Sequence, residues 1–165
     1  RLDAPRGVTR HDVLSAKEML AACEAVLPVD AAIFAAAVAD WRVATESGQK
    51  IKKQEGKLPQ LTLAENPDIL ATLSALDAGR PSLIIGFAAE TEKVVENGQA
   101  KLARKGCDWI VANDVGTGTG TFGGDDNRVF LLTKDGVEDW PKQSKELVAR
   151  TLVKRIATFF QGVKA

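Results

Sequence analysis

The stretch from Phe34 to Lys53 combines residue types that could carry chemistry. A run of small apolar residues leads into Asp40, and a lysine cluster follows at Lys50, Lys52 and Lys53. An acid at the carboxyl end of a buried strand, with cations further along, is typical of nucleotide sites in open α/β sheets. Asp40 could bond a ribose hydroxyl, a base amine or a metal ion. Lys50, next to a flexible flap, could reach a phosphoryl or acyl transition state.

Two further strand ends supply candidates of the same kind. Phe87 ends a second strand and could stack on a base, and Asn113-Asp114 ends a third. The small side chains around Ala36 and after Phe87 would let a planar base approach the backbone. Ordinary core packing would explain any one of these strand ends alone. Because ligands in such sheets sit at the carboxyl ends of the strands, their convergence favours a nucleotide site.

Phosphate contacts are predicted from two helices. Lys101 and Lys105 are four residues apart and project from one helix face, although a solvated, ion-paired face would also account for them. The stretch Asn66-Pro67-Asp68-Ile69 begins another helix, with its asparagine as the expected N-cap and its proline at the first helical position. Open amides at that helix start could bind phosphate, or the pattern could be capping alone.

Composition excludes several other classes of protein. The chain has 165 residues, 45% hydrophobic content and a formal net charge of zero, which indicates one domain and argues against a disordered tail or a generally basic nucleic-acid binder. No apolar run approaches the roughly 18 residues that span a bilayer, and we expect no secretory leader. Two isolated cysteines and a single histidine, His11, argue against a disulfide framework, a zinc site or a histidine triad. A reducing, cytoplasmic location is therefore expected.

The elements that must position these residues alternate between helix and strand. A capping-box pattern at Ser15 begins the first helix and Pro28 ends it. Strands are expected at Ala31–Val38, which should be buried on both faces, and at Ser82–Phe87, Asp108–Asn113, Arg128–Thr133 and Val137–Trp140. Helices are expected from Pro67 to Gly79, from Thr91 to Lys105, and from Ser144 onward with a buried stripe of Leu147, Val148, Leu152, Ile156 and Phe159. The pattern predicts an α/β fold with a Rossmann-like, mostly parallel sheet, flanking helices and an antiparallel hairpin at one edge.

An antiparallel arm is predicted outside the main sheet. Lys50-Ile51-Lys52 and Leu61-Thr62-Leu63 alternate as short strands do, and Gln54 to Gln60 carries a glycine and a proline, which suits a flap. Such an arm is suited to a dimer contact. The loop from Val115 to Asn127 is rich in glycine but has no Walker pattern, so we interpret it as a surface loop.

Six segments, in order, resemble phosphopantothenoylcysteine synthetase, also called phosphopantothenate–cysteine ligase. They are AAVADWR (Ala36–Arg42), KIKK (Lys50–Lys53), LTLAENPDIL (Leu61–Leu70), GFAAET (Gly86–Thr91), AKLARKGCDWIVAND (Ala100–Asp114) and FGGDDNRV (Phe122–Val129). In bacteria this family is usually the carboxyl half of a bifunctional coenzyme A biosynthesis protein, which implies a decarboxylase domain fused upstream. The resemblance also implies a homodimer, with small molecules rather than nucleic acid or membrane as partners.

The resemblance implies a two-step ligase reaction. The carboxylate of 4′-phosphopantothenate attacks the α-phosphate of CTP, with Mg²⁺ assisting, and the amine of cysteine then displaces CMP from the acyl-cytidylate; some eukaryotic relatives use ATP. By position, Lys50 is the catalytic lysine, Asp40 binds nucleotide or its cation, and Lys101 and Lys105 hold the phosphates. The remaining nucleotide contacts implied are Ala36, Asn66, Pro67, Asp68, Ile69 and Phe87.

The front of the chain departs from the family pattern. Family members begin with a strand, a Gly-Gly-Thr-type turn and an SSG-x-x-G segment that binds phosphate, and none of these is found here. We therefore expect residues 1–165 to be a single, N-terminally incomplete CTP-binding synthetase domain that binds CTP but makes little product alone. A non-catalytic fragment with a vestigial nucleotide site is the alternative. A Rossmann oxidoreductase is disfavoured, because no G-x-G-x-x-G opens a helix after a strand.

Overall fold

The structure is a computed structural model that describes residues 3–45, 60–116 and 124–163. The elements within these ranges are α1 Ala16–Ala25, β1 Ala31–Phe34, β2 Trp41–Val43, β3 Leu63–Glu65, α2 Ile69–Ser74, β4 Leu83–Glu90, α3 Val94–Lys105, β5 Trp109–Asp114, β6 Asp126–Thr133, β7 Gly136–Ser144 and α4 Lys145–Val163. None of the helices in the described ranges has the length and apolar character that crossing a membrane requires.

The main sheet places its strands in the order β1-β4-β5-β6-β7. β1, β4 and β5 run parallel, and β6 and β7 continue the sheet as an antiparallel hairpin. β2 and β3 form a separate two-stranded antiparallel ribbon. The predicted Rossmann-like α/β fold, with a parallel core, flanking helices and an antiparallel edge, is confirmed.

Two apolar cores lie on the two faces of the sheet. Because successive residues of a strand face opposite ways, Ile84 enters the core covered by α1, α2 and α3, whereas Leu83 and Ile85 enter the core covered by α4. In the second core the rings of Trp109 and Phe159 meet edge to face, with their centroids 5.7 Å apart. Burial on both faces explains why β4 and β5 read as continuous apolar runs.

Two glycines let helices pack close to the sheet. A Cβ on Gly86 of β4 would lie 2.6 Å from Leu70 Cδ2 of α2 and 2.9 Å from Ile110 Cδ1. A Cβ on Gly98, inside α3, would lie 3.0 Å from Leu132 Cδ1. These two positions therefore need the smallest side chain because another side chain already occupies the space.

An ion pair fastens the amino ends of β4 and β5. Arg80 Nη2 lies 3.1 Å from Asp108 Oδ2, and Arg80 Nε donates to the Ser74 carbonyl at 3.0 Å. The same Asp108 oxygen accepts the Ile84 N–H at 2.7 Å. Arg80 and Asp108 thus join the end of α2 to the amino ends of two neighbouring strands.

Two predicted boundaries are wrong near the candidate site. β1 ends at Phe34 rather than Val38, where its pairing with β4 stops, and Ile33 is 49% exposed in the part of the chain that the structure describes. The N-cap of α2 is Asp68 rather than Asn66: Asp68 Oδ1 accepts the Ala71 N–H at 3.1 Å. Aspartate and asparagine both cap helices well, but the Asn66 side chain donates instead to the Ala39 carbonyl.

Two further predictions need correction away from that site. The partner of Leu63 in the ribbon is Val43, and the expected strand Lys50-Ile51-Lys52 lies outside the described residues. Leu147, expected in the buried stripe of α4, is 48% exposed because it lies about 100° around the helix from Val148, which faces the core. The capping box of α1 is confirmed in a shifted form: Ser15 Oγ accepts the Glu18 N–H, while Glu18 reaches back to the N–H of Leu14.

We predict that Gly86→Ala destabilises the protein through Leu70. Overpacking of this kind costs about 1–3 kcal/mol. In a Leu70→Ala background the cost should fall by about 1 kcal/mol or more, because the Leu70 methyl groups are gone and the Ile110 contact alone remains. Urea denaturation of the two single variants and the double variant gives the coupling energy.

Gly162→Ala is the matched control for this cycle. A Cβ on Gly162 meets no atom within 4 Å, so the free energy of unfolding should stay the same or rise slightly. Strictly additive costs for Gly86→Ala and Leu70→Ala would contradict the proposed close approach.

Candidate functional site

A cavity of about 580 Å³ opens at the carboxyl end of β1, between that strand, α1, the start of α2 and α3. Its size lies within the range of small-molecule sites. The predicted site residues that line it are Ala36, Asp40, Asn66, Pro67, Asp68, Ile69, Phe87, Lys101 and Lys105. The structure therefore brings together every predicted nucleotide contact. Lys50 lies outside the described residues.

The early end of β1 creates the cavity. The Leu83 N–H donates to the Asp30 carbonyl, so the odd-numbered residues of β4 direct their backbone groups toward β1. The last register pair of these strands is Phe34 with Gly86. Phe87 comes next on β4, and its carbonyl accepts Lys101 Nζ at 3.0 Å instead of a strand amide. A lysine thus satisfies the first carbonyl beyond the last paired residues.

The ring of Phe87 takes a different position from the stacking role expected from the sequence. Phe87 packs against the second core, on the face covered by α4, together with Ala31. The group that Phe87 offers to Lys101 is its backbone carbonyl. Sequence alone did not show this, because the side chain and the carbonyl of one strand residue point in different directions.

Lys105 forms an ion pair with Asp68 Oδ2 across the cavity wall. Burial alone would raise the pKa of the Asp68 carboxyl, but the bond from Lys105 and the Ala71 N–H outweigh it and hold the pKa below its usual value. Asp68 therefore caps α2 with one oxygen and holds α3 with the other. The i, i+4 spacing correctly predicted that Lys101 and Lys105 share one face.

Asn66 connects the start of α2 to the chain that follows β1. Its side-chain Nδ2 donates to the Ala39 carbonyl at 2.8 Å, and its backbone N–H donates to the Asp40 carbonyl at 2.8 Å. The Arg42 side chain, two residues after Asp40, donates to the carbonyl of Glu65, which immediately precedes Asn66. The base of the β2–β3 ribbon is therefore part of the cavity wall.

Asp40 is the cavity carboxylate that could hold a metal ion. Its carboxyl is exposed, lines the cavity, and makes no hydrogen bond or ion pair with the other described residues. Across the described ranges no group of three or more histidine, cysteine, aspartate or glutamate residues could enclose a metal ion. Mg²⁺ commonly binds through one or two carboxylates completed by substrate phosphates, and a single Asp40 fits that arrangement.

Sequence reasoning missed the contribution of α1. Met19 and Cys23 line the cavity, and a second cavity of about 400 Å³ shares Met19, Val38, Ala39 and Asn66 with it. In the sequence, the helical spacing of Met19 and Cys23 indicated only that they pack in a core. Burial raises the pKa of the Cys23 thiol and raises that of Cys107 to about 11. Neither thiol is therefore a ready nucleophile at neutral pH.

Comparison with known proteins gives one consistent result. The family model described as DNA/pantothenate metabolism flavoprotein C-terminal domain matches residues 1–160. The chain is similar to the coenzyme A biosynthesis bifunctional protein CoaBC of Escherichia coli K12, with 43% identity over 160 residues, 95% of this chain and 39% of that protein. The protein of the same name from Haemophilus influenzae is 39% identical over 161 residues, 97% of this chain and 40% of that protein. The chain thus spans about two fifths of the length of these relatives.

A solved structure extends the similarity to the fold. The C-terminal domain of a coenzyme A biosynthesis bifunctional protein CoaBC aligns with a TM-score of 0.76 and 34% identity. The alignment covers 98% of this chain and 70% of that chain. This chain therefore has the same α/β fold as that C-terminal domain.

We predict that Asp68→Asn removes a pH-dependent part of the stability. The folded-state pKa of Asp68 is lowered, so its carboxylate stabilises the fold above the ordinary aspartate pKa of about 3.9 and loses that effect as the pH falls through the folded-state pKa. Asparagine keeps a capping oxygen but no charge. The Asp68 side chain is 44% exposed, so the difference at neutral pH should be at most about 1 kcal/mol.

Urea denaturation between about pH 7 and about pH 3 measures this effect. The gap between the wild type and Asp68→Asn should shrink as the pH falls. Asp77→Asn, which neutralises an exposed carboxyl beyond the end of α2, is the control. A gap for Asp68→Asn that stays constant or widens at low pH would disprove the assigned role.

Proposed function

Because the chain belongs to the family of DNA/pantothenate metabolism flavoprotein C-terminal domains, we propose that it is a CTP-dependent phosphopantothenate–cysteine ligase of coenzyme A biosynthesis. It joins 4′-phosphopantothenate to cysteine through an acyl-cytidylate. The name of its relatives describes a bifunctional protein, which supports a decarboxylase domain fused to this one. The two free cysteines suit a reducing compartment, and we place the reaction in the cytoplasm.

The observation that carries the proposal is the pairing of two lysines with an exposed carboxylate in one cavity. Lys101, Lys105 and Asp40 come from α3 and from the turn after β1, and all three line the same space. Asp68, which is already paired with Lys105, is the second acid of that lining. Lysines that can exchange their present partners for phosphate oxygens, beside a carboxylate that can share a cation, suit an anionic ligand with several phosphates.

Each group has a task that its chemistry suits. Lys101 and Lys105 neutralise phosphate oxygens, and the small residues Ala36 and Ala39 leave room for the base against the backbone. Asp40 would hold Mg²⁺ at the nucleotide. When bound, Mg²⁺ offsets the negative charge of the phosphates and polarises the phosphorus under attack. The carboxylate of phosphopantothenate then attacks the α-phosphate, and pyrophosphate leaves.

Lys50 is the proposed catalytic cation, on the strength of the family resemblance of KIKK. The attack on phosphorus places additional charge on the phosphoryl oxygens, and a lysine ammonium stabilises that charge. Lys50 lies outside the described residues, so the assignment depends on its position in the sequence, ten residues after Asp40.

The β2–β3 ribbon is the proposed dimer contact. Trp41 and Val43 share a face with Leu63, because Val43 pairs with Leu63 and alternate residues point the same way. Trp41 is 55% exposed and Leu63 is 57% exposed. An exposed apolar ribbon of this kind is suited to pairing with a second copy of the chain.

Calorimetric titration with CTP and Mg²⁺ tests the nucleotide site. We expect saturable binding, and no heat with NAD. Lys101→Met and Lys105→Met should each weaken CTP binding about tenfold or more, because each removes a charge-assisted bond. Lys134→Met removes the same charge from the β6–β7 turn and should leave affinity unchanged. Absence of CTP binding by the wild type would favour a non-catalytic fragment.

Pyrophosphate release by the full-length protein tests Lys50. Lys50→Ala should reduce the rate of acyl-cytidylate formation by about a hundredfold or more and change CTP affinity only modestly, since a transition-state contact of this kind contributes about 2–4 kcal/mol. Activity within about threefold of the wild type would exclude the transition-state role.

A further inference from the structure

The wall formed by residues 35–40 has little support from the main sheet. β1 ends at Phe34, and β2 begins only at Trp41, so no strand pairing within the described ranges holds the residues between them. These residues are all exposed, yet four of them, Ala35, Ala36, Val38 and Ala39, line the cavity together with Asp40. Something outside the sheet must set their position.

Asn66 supplies that support. It bonds two consecutive carbonyls of the wall, Ala39 through its side chain and Asp40 through its backbone, each at 2.8 Å. Two bonds to adjacent peptide groups fix both the place and the rotation of the chain that carries the Asp40 side chain. Asn66 is also only two residues from Asp68, which caps α2 and holds Lys105.

The amide group of Asn66 has a specific chemical task. Only a donor satisfies the Ala39 carbonyl, and Asn66 Nδ2 is that donor. A carboxylate of the same shape would place two oxygens against each other. The nearby bond from Arg42 to the Glu65 carbonyl and the β2–β3 pairing do not involve the Asn66 side chain. Loss of that side chain should therefore loosen the wall and leave the ribbon paired.

We infer that Asn66 is a positioning residue, which holds Asp40 and the wall of residues 35–40 in register with the start of α2. It acts through Ala39 and Asp40 rather than by contact with the nucleotide. The inference rests on the proposed function as far as the ligand is concerned, since Asp40 is the carboxylate that shares Mg²⁺ with CTP. Asn66 then governs the affinity for the nucleotide with its metal.

A double-mutant cycle in the CTP titration tests this role. Asn66→Ala and Asn66→Asp should both weaken binding of CTP with Mg²⁺ about tenfold, because both lack the donor. In an Asp40→Asn background, Asn66→Ala should weaken it less than about twofold, because the group that it positions is already disabled. Additive losses would show that Asn66 contacts the nucleotide directly and would overturn the inference.

Hydrogen–deuterium exchange without ligand provides a readout that does not depend on CTP. Amides of residues 35–40 should exchange faster in Asn66→Ala than in the wild type, whereas those of the paired β2 should not. Asn97→Ala is the matched control: Asn97 Nδ2 donates to the Glu92 carbonyl at 2.9 Å at the start of α3, and Asn97 does not line the cavity. Unchanged exchange in Asn66→Ala would overturn the positioning role. Failure of the wild type to bind CTP would instead reject the proposed function.

Discussion

The early end of β1 is the constraint on which the cavity depends. β4 and β5 stay paired through Glu90 and Asp114, whereas β1 leaves β4 after Phe34 opposite Gly86. A parallel sheet that loses one strand in this way exposes backbone groups that need new partners. Lys101 satisfies the Phe87 carbonyl, and Asn66 satisfies two carbonyls of the departing chain. The polar groups around the cavity thus supply hydrogen-bond partners for backbone carbonyls that strand pairing leaves unsatisfied.

At the amino ends of β4 and β5, side-chain contacts hold the two strands together, so the departure of β1 is confined to the carboxyl end of the sheet. Arg80 and Asp108 fasten the starts of β4 and β5 to the end of α2, so both strands begin in fixed register. Gly86 lets the other end of α2 lie directly against β4. α2 has only six residues, and it gains its stability from these contacts rather than from its own hydrogen bonds. A short helix held in this way places Asp68 accurately beside α3.

Sequence reasoning succeeded where one physical rule decides the answer. The ends of parallel strands meet at one edge, so Asp40 and Phe87 were correctly expected to lie together, and the i, i+4 rule correctly paired Lys101 with Lys105. It failed where two residues compete for one role. Asn66 and Asp68 both cap helices well, and only the tertiary bond to Ala39 decides between them. It also failed at the end of β1, because an apolar run that continues to Val38 does not reveal where pairing with β4 stops.

Lys101 and Lys105 already have bonding partners in the cavity wall, and this affects how they would bind a ligand. Lys101 bonds a neutral carbonyl, and Lys105 bonds a carboxylate whose side chain is 44% exposed. A partly exposed ion pair contributes about 0–1 kcal/mol, because water competes for both charges. Phosphate oxygens in the cavity can replace such partners at little cost, since they return a stronger charge-assisted bond. The resident bonds keep both side chains aimed along the cavity wall, so less side-chain entropy is lost when an anion binds. This arrangement keeps two lysines available to an anion while Asp40 and Asp68 balance their charge.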